Sequence, residues 1–377
     1  MMIKNGLLIP TMFLVFTLLS CENKVAKTDY VRDVLTSELD SLLSNDDINA
    51  VSIGVFYNGE TYEFHQGELT KGLNDKPTEE TIYEIASLTK TFTGTLLAQA
   101  IVDQKINLDD DIRIVLKDDF PNLEFENSPI TFRHLVTHRS GIPNMLPNKP
   151  GIFKNPDRNQ LPYVINELQK DFTRDAFFNE LNKVKIDTVP GTKFSYSNAG
   201  ANLLGYCLEN IYNKRYEDLL KEVIFLPLKM QSTKITLTDD DTENLAQGYN
   251  ENNIRMPFFT NKDMSAEGGI KSTLSDMMKY VAFQLDQDNV VVQKSHQELL
   301  GLWDDYDNGM FWQIFKNKNQ PNKIFQNGGA FGTSSWLTII PDEGIGVFVA
   351  TNQSGPSIHG LLNNTVDSII EKLATTK

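Results

Sequence analysis

The sequence predicts an α+β fold, with an antiparallel sheet built from both ends of the chain, flanking helices and an inserted, mainly helical lobe. Strand-like alternation of apolar residues, bounded by turn signals, is concentrated near residues 50–66 and again at 310–351. The segments between them show mostly helical spacing. The 377 residues suffice for one large domain, and an apolar fraction of 40% with 23% charged residues is typical of a globular protein.

The N-terminus has the organisation of an export signal. Lys4 precedes an apolar run, residues 7–19, which is short for a membrane span and leads into the sequence LLSC ending at Cys21. That sequence resembles the lipobox of bacterial lipoproteins, which implies cleavage before Cys21 and lipidation of this cysteine. We therefore predict a lipoprotein signal peptide over residues 1–20 and a bacterial cell-envelope protein, exported and anchored to a membrane through the lipid. An ordinary secretory signal and an uncleaved anchor are the alternatives.

Polar residues follow the predicted lipidation site. We expect residues 21–33 to comprise the lipidated cysteine and a tether, with the polar segment 22–28 flexible. The only other cysteine, Cys207, lies in an apolar stretch and is expected to be a small core residue. With Cys21 lipidated, no disulfide is available to stabilise the domain.

The remaining elements are predicted from spacing and turn chemistry. A helix begins at Tyr30, and two strands, residues 50–57 and 61–66, meet at Asn58-Gly59, a dipeptide that favours the positive-φ turn of a hairpin. Helical spacing predicts further helices after Ser87, over residues 131–138, twice within 161–184, and over 198–211, 265–285 and 361–373. Strand patterns predict a closing meander with strands at residues 310–315, 323–327, 335–340 and 345–351.

Ser87 lies where an extended segment is predicted to pass into a helix. Free backbone N–H groups and the positive end of the helix dipole favour negative charge at such a position. Lys90 follows one turn along the same helix face, within reach of the Ser87 hydroxyl. A serine with a lysine one turn away, at a site that favours an oxyanion, is the arrangement of an acyl-transfer nucleophile. Roughly one such pair is also expected by chance in a chain of this length.

A proton acceptor for this serine is predicted at Tyr196, just after the Pro190-Gly191 turn and before a helix. A tyrosine needs a neighbouring cation to act as a base, and Lys90 is the candidate. Asn198 is then placed to hold Lys90 or a substrate amide. The same Tyr-x-Asn pattern recurs at Tyr306, in an Asp-rich turn, where we interpret it as structural.

Other chemistries have little support in the sequence. His134 and His138 would share a helix face and so raise the possibility of zinc, but no third ligand is visible and no metal site is predicted. There is no Gly-x-Ser-x-Gly elbow and no phosphate-binding or dinucleotide-binding glycine motif. The net charge of −15 argues against a nucleic-acid partner.

Taken together, these motifs resemble the serine β-lactamase and penicillin-binding-protein superfamily, in particular its class C β-lactamase and D,D-peptidase/esterase branch. The segment Ser87-Leu88-Thr89-Lys90 matches the first motif of that branch, and Tyr196-Ser197-Asn198 matches its second. Several flanking segments also match, namely Thr137-His138 with Ser140-Gly141, Pro190-Gly191, Pro227-Leu228 with Met230, and Gly268-Gly269 with Ser272-Thr273. The resemblance covers residues 34–372, which we take as a single hydrolase domain.

The third motif departs from the family pattern. On the strand that faces the nucleophile the family carries Lys-Thr-Gly or His-x-Gly, whereas Gln326 takes the basic position here and Gly328 is kept. The resemblance implies an oxyanion hole formed by the backbone N–H groups of Ser87 and Gly329. It also implies substrate contacts from Asn198, Gln326 and Gly328. Because Gln326 carries no charge, recognition of a substrate carboxylate should be weaker than in the family.

The sequence therefore predicts a serine hydrolase that cleaves an ester or amide bond through a Ser87 acyl-enzyme, with Lys90 and Tyr196 completing the catalytic set. An esterase or D,D-peptidase-like activity is favoured over efficient β-lactam hydrolysis. A class C-type β-lactamase and a non-catalytic envelope binding or sensor protein are the alternatives. The expected partners are a small ester, peptide or β-lactam-like substrate and, through the lipid on Cys21, a membrane. No cofactor is expected, and no oligomeric state is predicted.

Overall fold

The computed structural model describes residues 12–375 apart from residues 262, 264 and 319, and it describes side chains from residue 28 onwards. The first eleven residues of the predicted signal peptide lie outside this range. The strands within it are β1 (Ala50–Tyr57), β2 (Glu60–Gly67), β3 (Ile82–Glu84), β4 (Glu124–Phe125), β5 (Ser128–Pro129), β6 (Lys271–Thr273), β7 (Tyr306–Asn308), β8 (Gln313–Asn317), β9 (Gln320–Gly329), β10 (Ser334–Ile340) and β11 (Ile345–Thr351). The helices are α1 (Met12–Leu43), α2 (Thr89–Val102), α3 (Phe132–Val136), α4 (Leu161–Gln169), α5 (Arg174–Leu181), α6 (Asn198–Tyr212), α7 (Tyr216–Leu220), α8 (Asp239–Glu243), α9 (Leu274–Gln284), α10 (Val290–His296) and α11 (Ile358–Ala374).

A seven-stranded antiparallel sheet forms the centre of the molecule, in the order β2-β1-β11-β10-β9-β8-β7. The N-terminal hairpin joins the C-terminal meander because β1 pairs with β11, with Ile53 opposite Val349. The turn between β1 and β2 has φ values of 52° at Asn58 and 79° at Gly59, the backbone geometry that this dipeptide favours. The predicted α+β fold with a sheet drawn from both ends of the chain is therefore confirmed.

The two faces of the sheet are covered differently. Helices α1 and α11 pack on one face, where Leu35, Leu39 and Ile369 are fully buried. The other face packs on α9 and the helical lobe, and the packing is close enough that a Cβ at Gly54 would lie 2.5 Å from Met278 Sδ. Each fully buried aliphatic side chain contributes about 1.5–3 kcal/mol, so both layers hold the sheet in place.

The structure first corrects the start of the predicted N-terminal helix. Helix α1 begins at Met12 rather than at Tyr30, so the segment 22–28 is helical and not a flexible tether. The physical reason is that neither Pro nor Gly interrupts residues 12–43. Among the described residues no helix combines the length and the apolar character that a membrane crossing requires.

The second and third corrections concern elements near the cleft. The helix predicted from Ser265 begins at Leu274, because Lys271–Thr273 instead forms β6 and pairs with β3. Tyr306 lies in strand β7 at the sheet edge rather than in a turn. The helix pair within 161–184, the helix after Ser197 and the closing helix are confirmed.

Candidate active site

Ser87 lies in the tight connection between β3 and α2. Ala86–Leu88 forms a single 3-10 turn and α2 begins at Thr89, so Ser87 stands at the start of a helix, as predicted. The preceding residue, Ala86, has a φ of 49°, in the left-handed region that non-glycine residues rarely adopt. Such conformations cost of order 1–3 kcal/mol and cluster at functional sites. They persist only where the surrounding structure holds them.

The central sheet provides that support. The side chains of Thr333 and Ser335 donate hydrogen bonds to the backbone oxygens of Glu84 and Ile85, at 2.9 and 3.1 Å. Gly328 of β9 packs on the same turn, because a Cβ at this position would lie 2.1 Å from the Ile85 oxygen. The position of Ser87 is therefore fixed by two neighbouring strands.

The three side chains predicted to be catalytic lie in direct contact. Ser87 Oγ is 2.8 Å from the Tyr196 hydroxyl, and Lys90 Nζ donates to Ser87 Oγ at 3.2 Å. The Lys90 ammonium lies 5.0 Å from the centre of the Tyr196 ring. Lys90 is fully buried, whereas 37% of the Tyr196 surface is exposed. The arrangement places a buried positive charge beside a serine and a phenol at the cleft surface.

Lys90 uses its three N–H donors on three separate acceptors. Besides Ser87 Oγ, it donates to Asn198 Oδ1 at 2.8 Å and to the backbone oxygen of Glu267 at 2.5 Å. Asn198 therefore holds Lys90, one of the two roles predicted for it.

Tyr196 is positioned by the loop that leads into α6. Ser197 caps this helix: its hydroxyl accepts from Gly200 N–H at 2.8 Å and donates to the Pro143 oxygen at 2.8 Å. The ring of His138 lies against the Tyr196 ring with their centres 4.3 Å apart. His138 Nδ1 also accepts from Ser197 N–H at 3.2 Å. The loop is thus fixed from both sides of Tyr196.

The two histidines considered for zinc do not share a helix face. Helix α3 ends at Val136, and His138 lies beyond it with a φ of 54°. Both Nδ1 atoms accept backbone N–H groups, that of His134 from Thr131 at 3.1 Å. Burial, reinforced by the Lys90 charge, lowers the pKa of His138 to about 3, so its imidazole is neutral. Within the described part of the chain no group of three or more metal-ligating side chains is found.

The cleft beside the nucleophile has two lobes. Ser87 and Gly329 line both lobes, which therefore meet at these two residues. The first, which we call the narrow lobe, has a volume of about 230 Å³ and includes Asn144, Phe153, Ile165, Asn198, Phe259, Glu267 and Phe331. The second, the wide lobe, has a volume of about 350 Å³ and includes Phe194, Tyr196, Tyr306, Asn308, Gln326, Asn327 and His359. Neither Lys nor Arg occurs among the described residues that line the two lobes.

The predicted substrate-binding residues on β9 are held by the protein itself. Gln326 is 8% exposed, and its Nε2 donates to the Phe311 oxygen at 2.6 Å. Its Oε1 accepts from Asn327 N–H at 2.9 Å and from Gln313 Nε2 at 3.3 Å. Gln326 therefore lines the wide lobe with its amide bonded to the cleft wall, while Gly328 contacts the Ser87 turn.

The family model that describes "Beta-lactamase" matches residues 35–368. The chain belongs to the β-lactamase family. It is 24% identical to Protein flp of Staphylococcus aureus (strain N315) over 347 residues, which are 88% of this chain and 66% of that protein. The chain thus spans slightly less than two thirds of these curated relatives. It is 23% identical to the D-alanyl-D-alanine-carboxypeptidase/endopeptidase AmpH of Escherichia coli (strain K12), covering 94% of this chain and 92% of AmpH.

Solved β-lactamase-family structures share the fold. A β-lactamase/D-alanine carboxypeptidase from Yersinia pestis, complexed with citrate, has a TM-score of 0.76 and 23% identity, covering 91% of this chain and 98% of that one. A class C β-lactamase has a TM-score of 0.74 and 20% identity, covering 90% and 97%. Because both sequence identities are below 25%, the similarity to these two structures establishes the fold alone.

Two residues near the site of this β-lactamase-family protein are not predicted from the sequence. Glu267 is 8% exposed, and burial raises the pKa of its carboxyl to about 7 against the opposing effects of Lys90 and Asn202. Its position before the Gly268-Gly269 pair was the available signal. His359, on the first turn of α11, places Nε2 3.0 Å from the Gly328 oxygen. No local pattern marked it, because it approaches the cleft from the far end of the chain.

The interpretation of the Tyr-x-Asn motif at Tyr306 as structural holds for only part of the motif. Asp307 is fully buried, and its carboxylate accepts the backbone N–H groups of Leu299, Leu300 and Gly301, a purely structural arrangement. Tyr306 itself lines the wide lobe. The structural interpretation therefore fits Asp307 in the middle of the motif, whereas Tyr306 and Asn308 form part of the cleft wall.

Proposed function

We propose that this β-lactamase-family protein is a serine hydrolase that cleaves an ester or amide bond through an acyl-enzyme on Ser87. The observation that carries the proposal is the joint contact of Ser87 Oγ with Tyr196 at 2.8 Å and Lys90 at 3.2 Å. A nucleophile, a proton acceptor and an activating cation within hydrogen-bonding reach are the parts that covalent catalysis requires.

In the proposed reaction Tyr196 accepts the Ser87 proton while Oγ attacks the substrate carbonyl carbon. The Lys90 ammonium, which lies 5.0 Å from the centre of the Tyr196 ring, is the cation proposed to assist this transfer. Collapse of the tetrahedral intermediate breaks the bond to the leaving group, which takes the proton from Tyr196. Water then attacks the acyl-enzyme carbonyl and gives a proton to Tyr196. Tyr196 returns this proton to Ser87 Oγ as the bond between Oγ and the acyl carbon breaks and the acid leaves.

The negative charge on the carbonyl oxygen needs preorganised donors. We assign this role to the backbone N–H groups of Ser87 and Gly329, the two residues that line both lobes. Ser87 is suited to it because the first N–H groups of a helix lack intrahelical acceptors and lie at the positive end of its dipole.

The two lobes can be assigned to the two halves of a substrate. Tyr196 lines the wide lobe, and it must reach the leaving group to return its proton. The leaving group therefore occupies the wide lobe, and the acyl group occupies the narrow lobe beside Asn144 and Asn198. The aromatic side chains of the narrow lobe favour an apolar acyl group.

The lining of the cleft favours neutral substrates. A carboxylate on the leaving group, as in a β-lactam or a peptide terminus, is best held by Lys or Arg, and the described lining contains neither. Gln326, which stands where the family carries a basic residue, uses its amide on the cleft wall. We therefore propose an esterase activity, or a D,D-peptidase-like activity on an amide whose leaving group has no free carboxylate, ahead of efficient β-lactam hydrolysis.

We further propose that residues 1–20 are a lipoprotein signal peptide and that Cys21 carries the lipid that anchors the protein to the cell envelope. The apolar run over residues 7–19 and the lipobox-like sequence that ends at Cys21 support this assignment. The hydrolase domain then comprises residues 34–372.

The test is hydrolysis of p-nitrophenyl acetate by wild-type protein, Ser87→Ala and the control Ser195→Ala. Ser195 is an exposed serine beside Tyr196, and its backbone N–H, which the substitution keeps, donates to the His138 oxygen. Ser87→Ala should lose about 10⁶-fold in kcat with an unchanged melting temperature, as the removal of such a nucleophile does in comparable enzymes. Ser195→Ala should keep wild-type turnover. Turnover retained by Ser87→Ala would refute the proposal.

A further inference from the structure

The peptide unit between Gly328 and Gly329 is held from both sides. A peptide bond is planar and trans, so its carbonyl and its N–H point in opposite directions and turn together. The direction of the Gly328 oxygen therefore determines where the Gly329 N–H points. This N–H is the second oxyanion donor of the proposed mechanism.

Helix α11 supplies the contact on the carbonyl side. Nε2 of the half-buried His359 lies 3.0 Å from the Gly328 oxygen. A carbonyl oxygen can only accept, so Nε2 carries the hydrogen and donates it. The ring also packs beside the next residue, because a Cβ at Gly329 would lie 3.0 Å from His359 Cε1.

The Ser87 turn supplies the contact on the other side. The approach of Gly328 to the Ile85 oxygen leaves no space for a side chain, and Ser335 bonds to the same oxygen. The peptide unit is thus enclosed between the turn that carries the nucleophile and the imidazole of His359. Rotation of its plane would break the His359 hydrogen bond.

We propose that His359 is a positioning residue that orients and polarises the Gly328–Gly329 peptide so that the Gly329 N–H points at the developing oxyanion. The inference rests on the proposed function. A donor on the carbonyl oxygen draws electron density from the peptide and makes its N–H a stronger donor, as in any chain of hydrogen bonds. His359 acts through this peptide and transfers no proton.

The test compares wild-type protein with His359→Leu, His359→Gln and the control Asn363→Ala in ester hydrolysis. Leucine fills the space without a donor, whereas the glutamine amide nitrogen can replace Nε2. Asn363 lies one turn further along α11 and contacts Lys323 and Asp367. His359→Leu should lower kcat about 10- to 100-fold, less than the roughly 100- to 1,000-fold effect of deleting an oxyanion donor. KM should stay within about twofold, because the oxyanion forms only after binding.

His359→Gln should recover most of the lost kcat, and Asn363→Ala should match wild type. If His359 had only a structural role, its substitution would lower the melting temperature but would not lower kcat while leaving KM unchanged. Wild-type kcat in His359→Leu, or equal losses in His359→Leu and His359→Gln at equal melting temperatures, would overturn the inference. Absence of Ser87-dependent turnover in the wild-type protein would instead overturn the proposed function, and this inference with it.

Discussion

The two walls of the cleft use their polar groups differently. On the nucleophile wall, formed by Ser87, Lys90, Tyr196 and Asn198, a fully buried ammonium donates to Ser87 and Asn198. On the strand wall, formed by β9 and the start of α11, Gln326 is neutral. Its amide is bonded to Asn327 of β9 and to Phe311 and Gln313 of the neighbouring segment. One wall concentrates charge at the reacting atoms, and the other carries no Lys or Arg among the described lining residues.

In the proposed mechanism this difference separates the groups that react from the groups that recognise the substrate. The nucleophile wall depends on a strand-to-helix turn and two short motifs. The turn packs on Gly328 of the strand wall, whereas the amide of Gln326 is bonded elsewhere. The strand wall sets which charges a substrate can carry. A protein can therefore keep acyl-transfer chemistry while its preference moves from anionic to neutral substrates.

Of the substitutions that compare the two walls, Tyr196→Phe should have the largest effect, because it removes the proposed proton acceptor from the nucleophile wall. Turnover of p-nitrophenyl acetate should fall about 10³-fold, within the range of general acid–base contributions. The matched control is Tyr306→Phe, which removes the hydroxyl of another tyrosine lining the same lobe and should change turnover less than about twofold. Equal losses of steady-state turnover in Tyr196→Phe and Tyr306→Phe would contradict the assignment of Tyr196 as the proton acceptor.

A smaller effect is expected from Gln326→Lys, which returns a cation to the strand wall. The kcat/KM for 3-carboxy-4-nitrophenyl acetate, whose leaving group bears a carboxylate, should rise about tenfold, a gain of about 1.4 kcal/mol typical of a charge-assisted hydrogen bond. The value for uncharged p-nitrophenyl acetate should stay within about threefold.

The control for this substitution is Gln326→Met, which removes the amide without adding charge. It should leave the ratio of the two kcat/KM values at the wild-type level. If Gln326→Lys also leaves this ratio unchanged, the absence of a cation at position 326 does not explain the proposed preference for neutral substrates. The difference between the two walls would then have no bearing on substrate charge.

The local features were predictable from the sequence. The β1–β2 hairpin followed from Asn58-Gly59, whose backbone preference is intrinsic, and the placement of Ser87 at a helix start followed from the change in apolar spacing. Lys90 and Asn198 could be placed because each lies within one turn or one loop of a recognisable motif.

Features that depend on contacts between segments far apart in the sequence were not predictable. Lys271–Thr273 became β6 only because β3 lies beside it, so the helix start was placed too early. Gln326 lines the wide lobe, but the contact of its amide with the Phe311 oxygen depends on how β8 and its preceding loop pack. His359 approaches Gly328 from the last helix, and nothing in the spacing of either segment predicts their contact.

The central claim, a reactive serine at position 87, is tested most directly by intact mass after exposure to a fluorophosphonate. Such a reagent phosphonylates a serine that a neighbouring base has activated. The account predicts one adduct on the wild-type protein and none on Ser87→Ala under the same conditions. An unmodified wild-type protein, or an adduct of equal yield on Ser87→Ala, would contradict it.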